Sequence, residues 1–207
     1  ILALGIISLK EASDALILEA ESGLSSLAFE AAQLTESRIK TQAVVLQMLA
    51  NREDFQDMDW EVQQPVLRSQ LGVSGFLDIG VVHPDGTTYY SDGSTAQLGD
   101  REYVKKALGG EVNVSDLLIS KVTNELVLMY AAPIKKGGKV VGALVGRRDG
   151  NALSDITADI RFGESGYAYM INKTGTVVAH HNEEMVFDQF NPLEQVAEDS
   201  SLTSLAN

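Results

Sequence analysis

Phe76-Leu-Asp-Ile-Gly-Val-Val-His-Pro-Asp-Gly-Thr-Thr-Tyr-Tyr-Ser91 is the stretch on which the fold turns. Phe76 to Val82 is an apolar run that reads as a buried strand. Pro84-Asp85-Gly86 then supplies a fixed φ, a side-chain acceptor and a residue free to take positive φ. Thr87 to Ser91 returns as a β-rich strand, so the stretch is a hairpin. Upstream the texture is helical. From Lys10 to Asn51 there is no Pro and a single Gly, Gly23. Apolar residues recur at Leu16, Ala20, Leu24, Leu27, Ala31, Leu34, Val45 and Leu49, which is helical spacing. A helix of about 40 residues is roughly 60 Å long. A domain of this size cannot cover it along its whole length, so part of it calls for a partner helix, and a homodimer seam is the expected outcome. A second helix is expected from Trp60 to about Leu71, capped by Asp57 or Asp59, with Pro65 ending or kinking its first turn.

Downstream the pattern is short strands. Asp92 to Gly99 reads as a polar loop, and Asp100 as the cap of a short helix, Arg101 to Leu108, stopped by Gly109-Gly110. Val112–Ser120, Leu126–Ile134 and Val140–Gly146 read as three further strands, joined by turns at Lys121–Asn124 and Lys136–Lys139. A helix from Asn151 to about Ile160 follows. An internal repeat then appears, in which Val81–Thr88 is matched by Met170–Val177, each an apolar strand, a turn closed by Gly, and a Thr/Val strand. Either two lobes open with the same hairpin, or two unrelated hairpins resemble each other. After His181 the texture is helical and acidic without further strands. The second copy therefore reads as incomplete, with its remaining strands beyond residue 207 or with a smaller lobe.

The chain has 207 residues, 16 Lys+Arg against 29 Asp+Glu, and no Cys. The acidic excess argues against a nucleic-acid partner, since phosphate binding needs clustered cations. Without Cys there is no disulfide framework, thiolate zinc site, iron–sulfur cluster or cysteine nucleophile. Hydrophobic residues make up 44% of the chain, which excludes a disordered one. Ile1 to Leu9 is apolar apart from Ser8. It is too short to span a bilayer, which takes about 20 residues. It is either the end of a transmembrane helix or an ordinary apolar helix start.

Signatures of catalysis are missing. No two glycines are spaced i, i+2, which removes a dinucleotide fingerprint, and Gly138-Lys139 lacks the remainder of a phosphate-binding loop. Gly163-Glu-Ser165-Gly166 imitates a nucleophile elbow but carries Tyr167 where Gly is needed. His180-His181 on a strand would point to opposite faces and could not share one metal ion. His83, before a Pro in a turn, reads as solvated. No cofactor and no metal are expected. What remains is a binding site for a small polar organic ligand: Arg101 and Tyr103 on the short helix, with Asp116, Ser120, Tyr130 and Arg147 on or near the sheet.

The order of these pieces resembles a known family. The long helix and the Pro-Asp-Gly hairpin are followed by Gly99-Asp100-Arg101-Glu102-Tyr103-Val104-Lys105-Lys106-Ala107-Leu108. Then come Val114-Ser115-Asp116, Leu126 to Ile134, Lys139–Leu144 and Gly163-Glu164-Ser165-Gly166-Tyr167-Ala168-Tyr169-Met170. This is similar to the dCache sensor domains of chemoreceptors, sensor kinases and diguanylate cyclases. The resemblance implies an α+β fold with two PAS-like lobes of antiparallel sheet, flanked by helices, on one long N-terminal helix. It implies residues 10–51 as that helix, 52–150 as a membrane-distal, ligand-binding lobe, and 151–207 as a membrane-proximal lobe that is truncated. It also implies an extracytoplasmic setting between membrane anchors, and a sensor in place of an enzyme. Amino-acid-binding members carry an Arg, an aromatic two residues on and another aromatic next; the matching positions are Arg101, Tyr103 and Val104. Their Tyr and Asp on the following strand correspond to Leu118 and Ser120. Their final carboxylate falls near Arg147, with Asp149 as the rival position. If Arg147 faces the site, two arginines favour a carboxylate or other anion, an organic acid, over an α-amino acid.

Overall fold

A computed structural model describes residues 2–158, 160–161, 163 and 166–194. Glu164 and Ser165 of the elbow-like motif, Ile1 of the apolar start, and the acidic stretch 195–207 lie outside the described residues.

Helix α1 (Leu2–Ala50) runs 49 residues, about 70 Å at the usual rise per residue. Its C-terminal quarter is anchored: Gln42, Leu46, Leu49 and Ala50 are buried, with Ile39, Ala43 and Val45 half-buried beside them. From Ser8 to Ser25 the helix is largely open to solvent, with Leu9, Leu16 and Leu18 each about two-thirds exposed or more. Among the described residues no helix is long and apolar enough to cross a membrane. A short α2 (Glu53–Gln56), absent from the sequence reading, inserts Phe55 into the core. In α3 (Trp60–Ser74) the Asp59 carboxylate accepts from Glu61 N–H at 3.0 Å, as expected of the cap. Pro65 does not end the first turn. The helix continues through it to Gly75, whose φ of 75° closes the C-terminus.

Seven strands form one antiparallel sheet in the order β3-β2-β1-β7-β6-β4, with β5 also pairing β6. The strands are β1 (Asp78–Val82), β2 (Thr87–Tyr90), β3 (Thr95–Gln97), β4 (Asn113–Val114), β5 (Leu118–Ile119), β6 (Leu126–Lys136) and β7 (Lys139–Asp149). Gly137 and Gly138 both take positive φ at the β6–β7 turn, the twist-compatible geometry for a two-residue hairpin loop. Three expectations are corrected here. The 92–99 loop contains β3, because its backbone finds partners along β2. The 112–120 strand is broken into β4 and β5 around Ser115–Leu117, each pairing a different part of β6. Asp100 does not cap α4 (Glu102–Leu108); the cap position is Arg101, without a side-chain cap bond, and the Asp100 carboxylate instead takes Lys121 Nζ at 2.6 Å.

Alternation along the strands divides the core in two. Ile79, Val81, Leu128, Tyr130, Ala132, Ile134 and Leu144 face α1, α2 and α3, where Leu46, Phe55, Leu67 and Phe76 complete the layer. Val82, Tyr90, Val127, Met129, Ala131, Ala143 and Val145 face the other way, onto Tyr103, Val104 and Ala107 of α4. After β7 the chain forms a 3-10 turn (Gly150–Leu153) and α5 (Ser154–Ala158), in place of one continuous helix. A second sheet pairs β8 (Met170–Ile171) with β9 (Val177–Ala179), and α6 (Glu183–Phe187) follows, capped by Asn182.

Candidate ligand site

The site lies where α4 meets the sheet on the face away from α1. Helix α4 presents Tyr103, Val104 and Ala107 inward, all buried, as spacing of one and four residues on a helix requires. On the sheet, the same period-two alternation that sends Ile79 and Val81 to α1 sends Asp78 toward α4 with Val82. Asp78 pairs across the ladder with Arg147, so the two side chains share this face. The Asp78 Oδ1 atom accepts from Ser91 Oγ at 2.6 Å and from Ile79 N–H at 2.8 Å.

The two phenols carry the electrostatic signature of the site. Burial pushes the Tyr90 hydroxyl well above its ordinary range; Tyr103 and the Asp78 carboxylate push the same way, and Arg147 opposes them. Burial likewise pushes Tyr103 up to about 12, against the pull of Arg101. Both phenols are therefore protonated hydrogen-bond donors at neutral pH. Among the described residues the buried Nε of Arg101 has no hydrogen-bond partner. A second guanidinium nitrogen of Arg101, Nη2, reaches the Ile119 carbonyl only at 3.5 Å.

A loop covers the site. Ser120 N–H donates to the Glu125 carbonyl at 2.9 Å, and Ser120 Oγ accepts from the amides of Val122 and Thr123. One side of the loop is held to the start of α4 by Lys121 and Asp100. The other is held by Arg147, whose Nη1 donates to Thr123 Oγ1 at 3.0 Å and to Glu125 Oε2 at 3.2 Å.

The residues singled out from the sequence fall into separate places. Arg101, Tyr103, Ser120 and Arg147 gather around this site and its covering loop. Tyr130 projects through the opposite face of the sheet, where its ring meets Phe76 edge-on at 5.6 Å. Asp116 is exposed, on a groove of about 710 Å³ that Arg101 and Tyr103 also line, between α4 and the β8–β9 turn at Ile171–Thr174. Asp149 is exposed, lines a groove of about 800 Å³ with Arg147 and Glu125, and caps the 3-10 turn, accepting from Asn151 N–H at 2.8 Å. Tyr90, Asp78, Thr123 and Glu125 belong to the site but were not singled out. Tyr90 and Asp78 could have been found by carrying the β1–β2 alternation through to Ser91; the loop residues carry no local signal.

Two histidine readings change. His83 is half-buried against Tyr89, ring to ring at 5.3 Å. His180 and His181 lie beyond the end of β9, so strand alternation does not separate them, and their rings stand 4.3 Å apart beside Tyr167. Among the described residues no group of three or more His, Cys, Asp or Glu could hold a metal ion.

A long helix on one face of an antiparallel sheet, with a polar phenol-lined site under a short helix on the other, defines an α+β module of the PAS-like kind. Residues 12–204 match the Cache domain family (dCache_1), and the chain belongs to it. A curated relative, the methyl-accepting chemotaxis protein PctB of Pseudomonas aeruginosa, is 26% identical over 133 residues, covering 61% of this chain and 21% of the relative. The chain thus spans about a fifth of the length of that relative. The solved ligand-binding domain of the same receptor with L-Arg superposes with a TM-score of 0.69 at 22% identity, covering 83% of this chain and 68% of that one. That of Pseudomonas fluorescens CtaA with L-serine gives 0.67 at 17%, covering 82% and 74%. At these identities the likeness shows the fold.

Proposed function

We propose that this chain is the extracytoplasmic small-molecule-sensing domain of a transmembrane receptor of the chemotaxis or two-component type. The observation that carries this is the buried Nε of Arg101, which among the described residues has no acceptor, on the α4 side of the sheet, where the rings of Tyr90 and Tyr103 are also buried. Residues 52–150 form the membrane-distal lobe that takes the ligand, and 151–207 belong to the membrane-proximal one. Helix α1 pairs with its copy in a homodimer. The solved relatives that carry L-Arg and L-serine support a small polar organic ligand for this chain as well. Binding displaces the covering loop and shifts α4 against the sheet, and the change passes to α1 and across the dimer.

Thermal-shift screening with amino acids, organic acids and amines tests the reading. A ligand at about 100 times its Kd adds roughly 2.7 kcal/mol of stability. The shift is expected to vanish in Arg101→Gln. A second reading, a dimerisation ectodomain without its own ligand, is favoured by the exposed apolar residues of α1, among them Ile17 and Phe29. It predicts a dimer by sedimentation, lost in Ile17→Glu, and no thermal response to any compound.

A further inference from the structure

We propose that the ligand of this site is an organic dicarboxylate, and that Glu125 occupies one of its carboxylate positions, on Arg147, until the ligand displaces it. The inference rests on reading the α4 face of the sheet as the binding site. The Arg147 side chain is only 14% exposed, whereas that of Glu125 is 67% exposed. A guanidinium held in place and largely dry meets a carboxylate that sits mostly in water. Such a carboxylate gains little from the pair and leaves readily. The contact runs through one nitrogen, Nη1, whereas a carboxylate seated on a guanidinium favours a two-pronged fit. Glu125 therefore fills the position without matching it.

Arg101 supplies the second position. Its Nη2 reaches the Ile119 carbonyl of the same covering segment only at 3.5 Å, and among the described residues its buried Nε has no acceptor. A buried guanidinium N–H left unpaired is costly, and a carboxylate oxygen is the acceptor its planar fork fits best. On the same face of the sheet the phenols of Tyr90 and Tyr103 add two more donors. The inward carboxylate of the site, Asp78, already has Oδ1 engaged by Ser91 and its neighbour's amide. The groups left open on the two arginines and two phenols are donors, against the single Oδ2 atom of Asp78 as acceptor, and a ligand with acceptors at both ends matches that balance. A ligand ammonium would add a further donor and place a positive charge near Arg147.

Isothermal titration calorimetry of the 207-residue chain at low salt tests this, with malonate, succinate, malate and glutarate as one set of probes and proteinogenic amino acids as the other. A dicarboxylate is expected to bind. Arg101→Gln and Arg147→Gln should each weaken it about tenfold or more, and Glu125→Gln should tighten it about threefold. Glu125 is exposed, so Glu125→Gln is expected to fold with an unchanged Tm. Binding of no dicarboxylate, or a Glu125→Gln affinity equal to or weaker than the parent, overturns the inference. If an amino acid binds instead and is lost in Arg101→Gln, the site reading stands and only the ligand class falls. If neither set binds, both fall.

Discussion

Gly86 and Gly175 share one backbone conformation: φ is 86° at both, and each N–H donates to the carbonyl three residues back, His83 at 2.8 Å and Asn172 at 3.0 Å. The next ladder bonds match too, His83 N–H to Thr87 and Asn172 N–H to Thr176. The side chains that brace the two turns differ. Asp85 accepts the Thr87 amide and hydroxyl, while Asn172 accepts the amides of Thr174 and Thr176. The repeat read in the sequence is one turn geometry used twice.

Gly86→Ala should be the more damaging of the two substitutions. Its new methyl would carry a left-handed φ and press on the backbone of Gly99, which cannot move aside. At Gly175 the methyl would carry the same φ but meet side-chain atoms, of Leu193 and Asn191, in place of backbone. We expect a loss of about 2–3 kcal/mol for Gly86→Ala and about half that for Gly175→Ala, measured by urea denaturation.

Tyr103→Phe and Tyr130→Phe separate the two faces of the sheet. Tyr103 lies toward the site and Tyr130 toward α1. Removing the Tyr103 hydroxyl should weaken ligand binding by about 1 kcal/mol. Tyr130→Phe should leave the affinity as it is. Calorimetry with the ligand found in screening decides; equal losses in both variants would contradict the division.

Phe55 should be indispensable although it sits on a four-residue helix that the sequence did not announce. Its side chain is fully buried with Leu46, Leu67 and Ile134. Phe55→Ala is expected to cost about 3–5 kcal/mol by chemical denaturation.

His180 gives stability a pH dependence. Burial, and then the neighbouring His181, hold its pKa below the ordinary 6.5. Its Nδ1 also accepts the Asn182 amide at 2.9 Å, a bond that protonation at that nitrogen ends. A histidine depressed in the folded state binds fewer protons than it does unfolded. Its contribution is therefore whole above about pH 6.5 and lost as pH falls through the folded value. Tm should drop more steeply below pH 6.5 in the parent than in His180→Gln; identical profiles would remove His180 from the account.

Much of the fold was legible because it rests on local chemistry. The long proline-free run made α1, the Pro-Asp-Gly turn made the β1–β2 hairpin, and Gly137-Gly138 made the β6–β7 turn. The misreadings have a common cause. Asp100 has the chemistry of a helix cap, yet Lys121, distant in sequence, claims its carboxylate. The 92–99 segment has the composition of a loop, yet β2 offers it a free edge. Tyr130 and Arg147 both lie on sheet strands, and only the pairing of β6 with β7 shows that they leave by opposite faces.

The sequence alone determined the periodicities, the turns and the family, because each depends on residues within one or two turns of chain. The tertiary structure alone decided the site. Asp78, Tyr90, Tyr103, Glu125 and Arg147 come from five separate segments, and what they can bind depends on which donors are left without acceptors once those segments pack. No local pattern encodes that remainder, since a side chain is satisfied or orphaned only after its distant neighbours are in place.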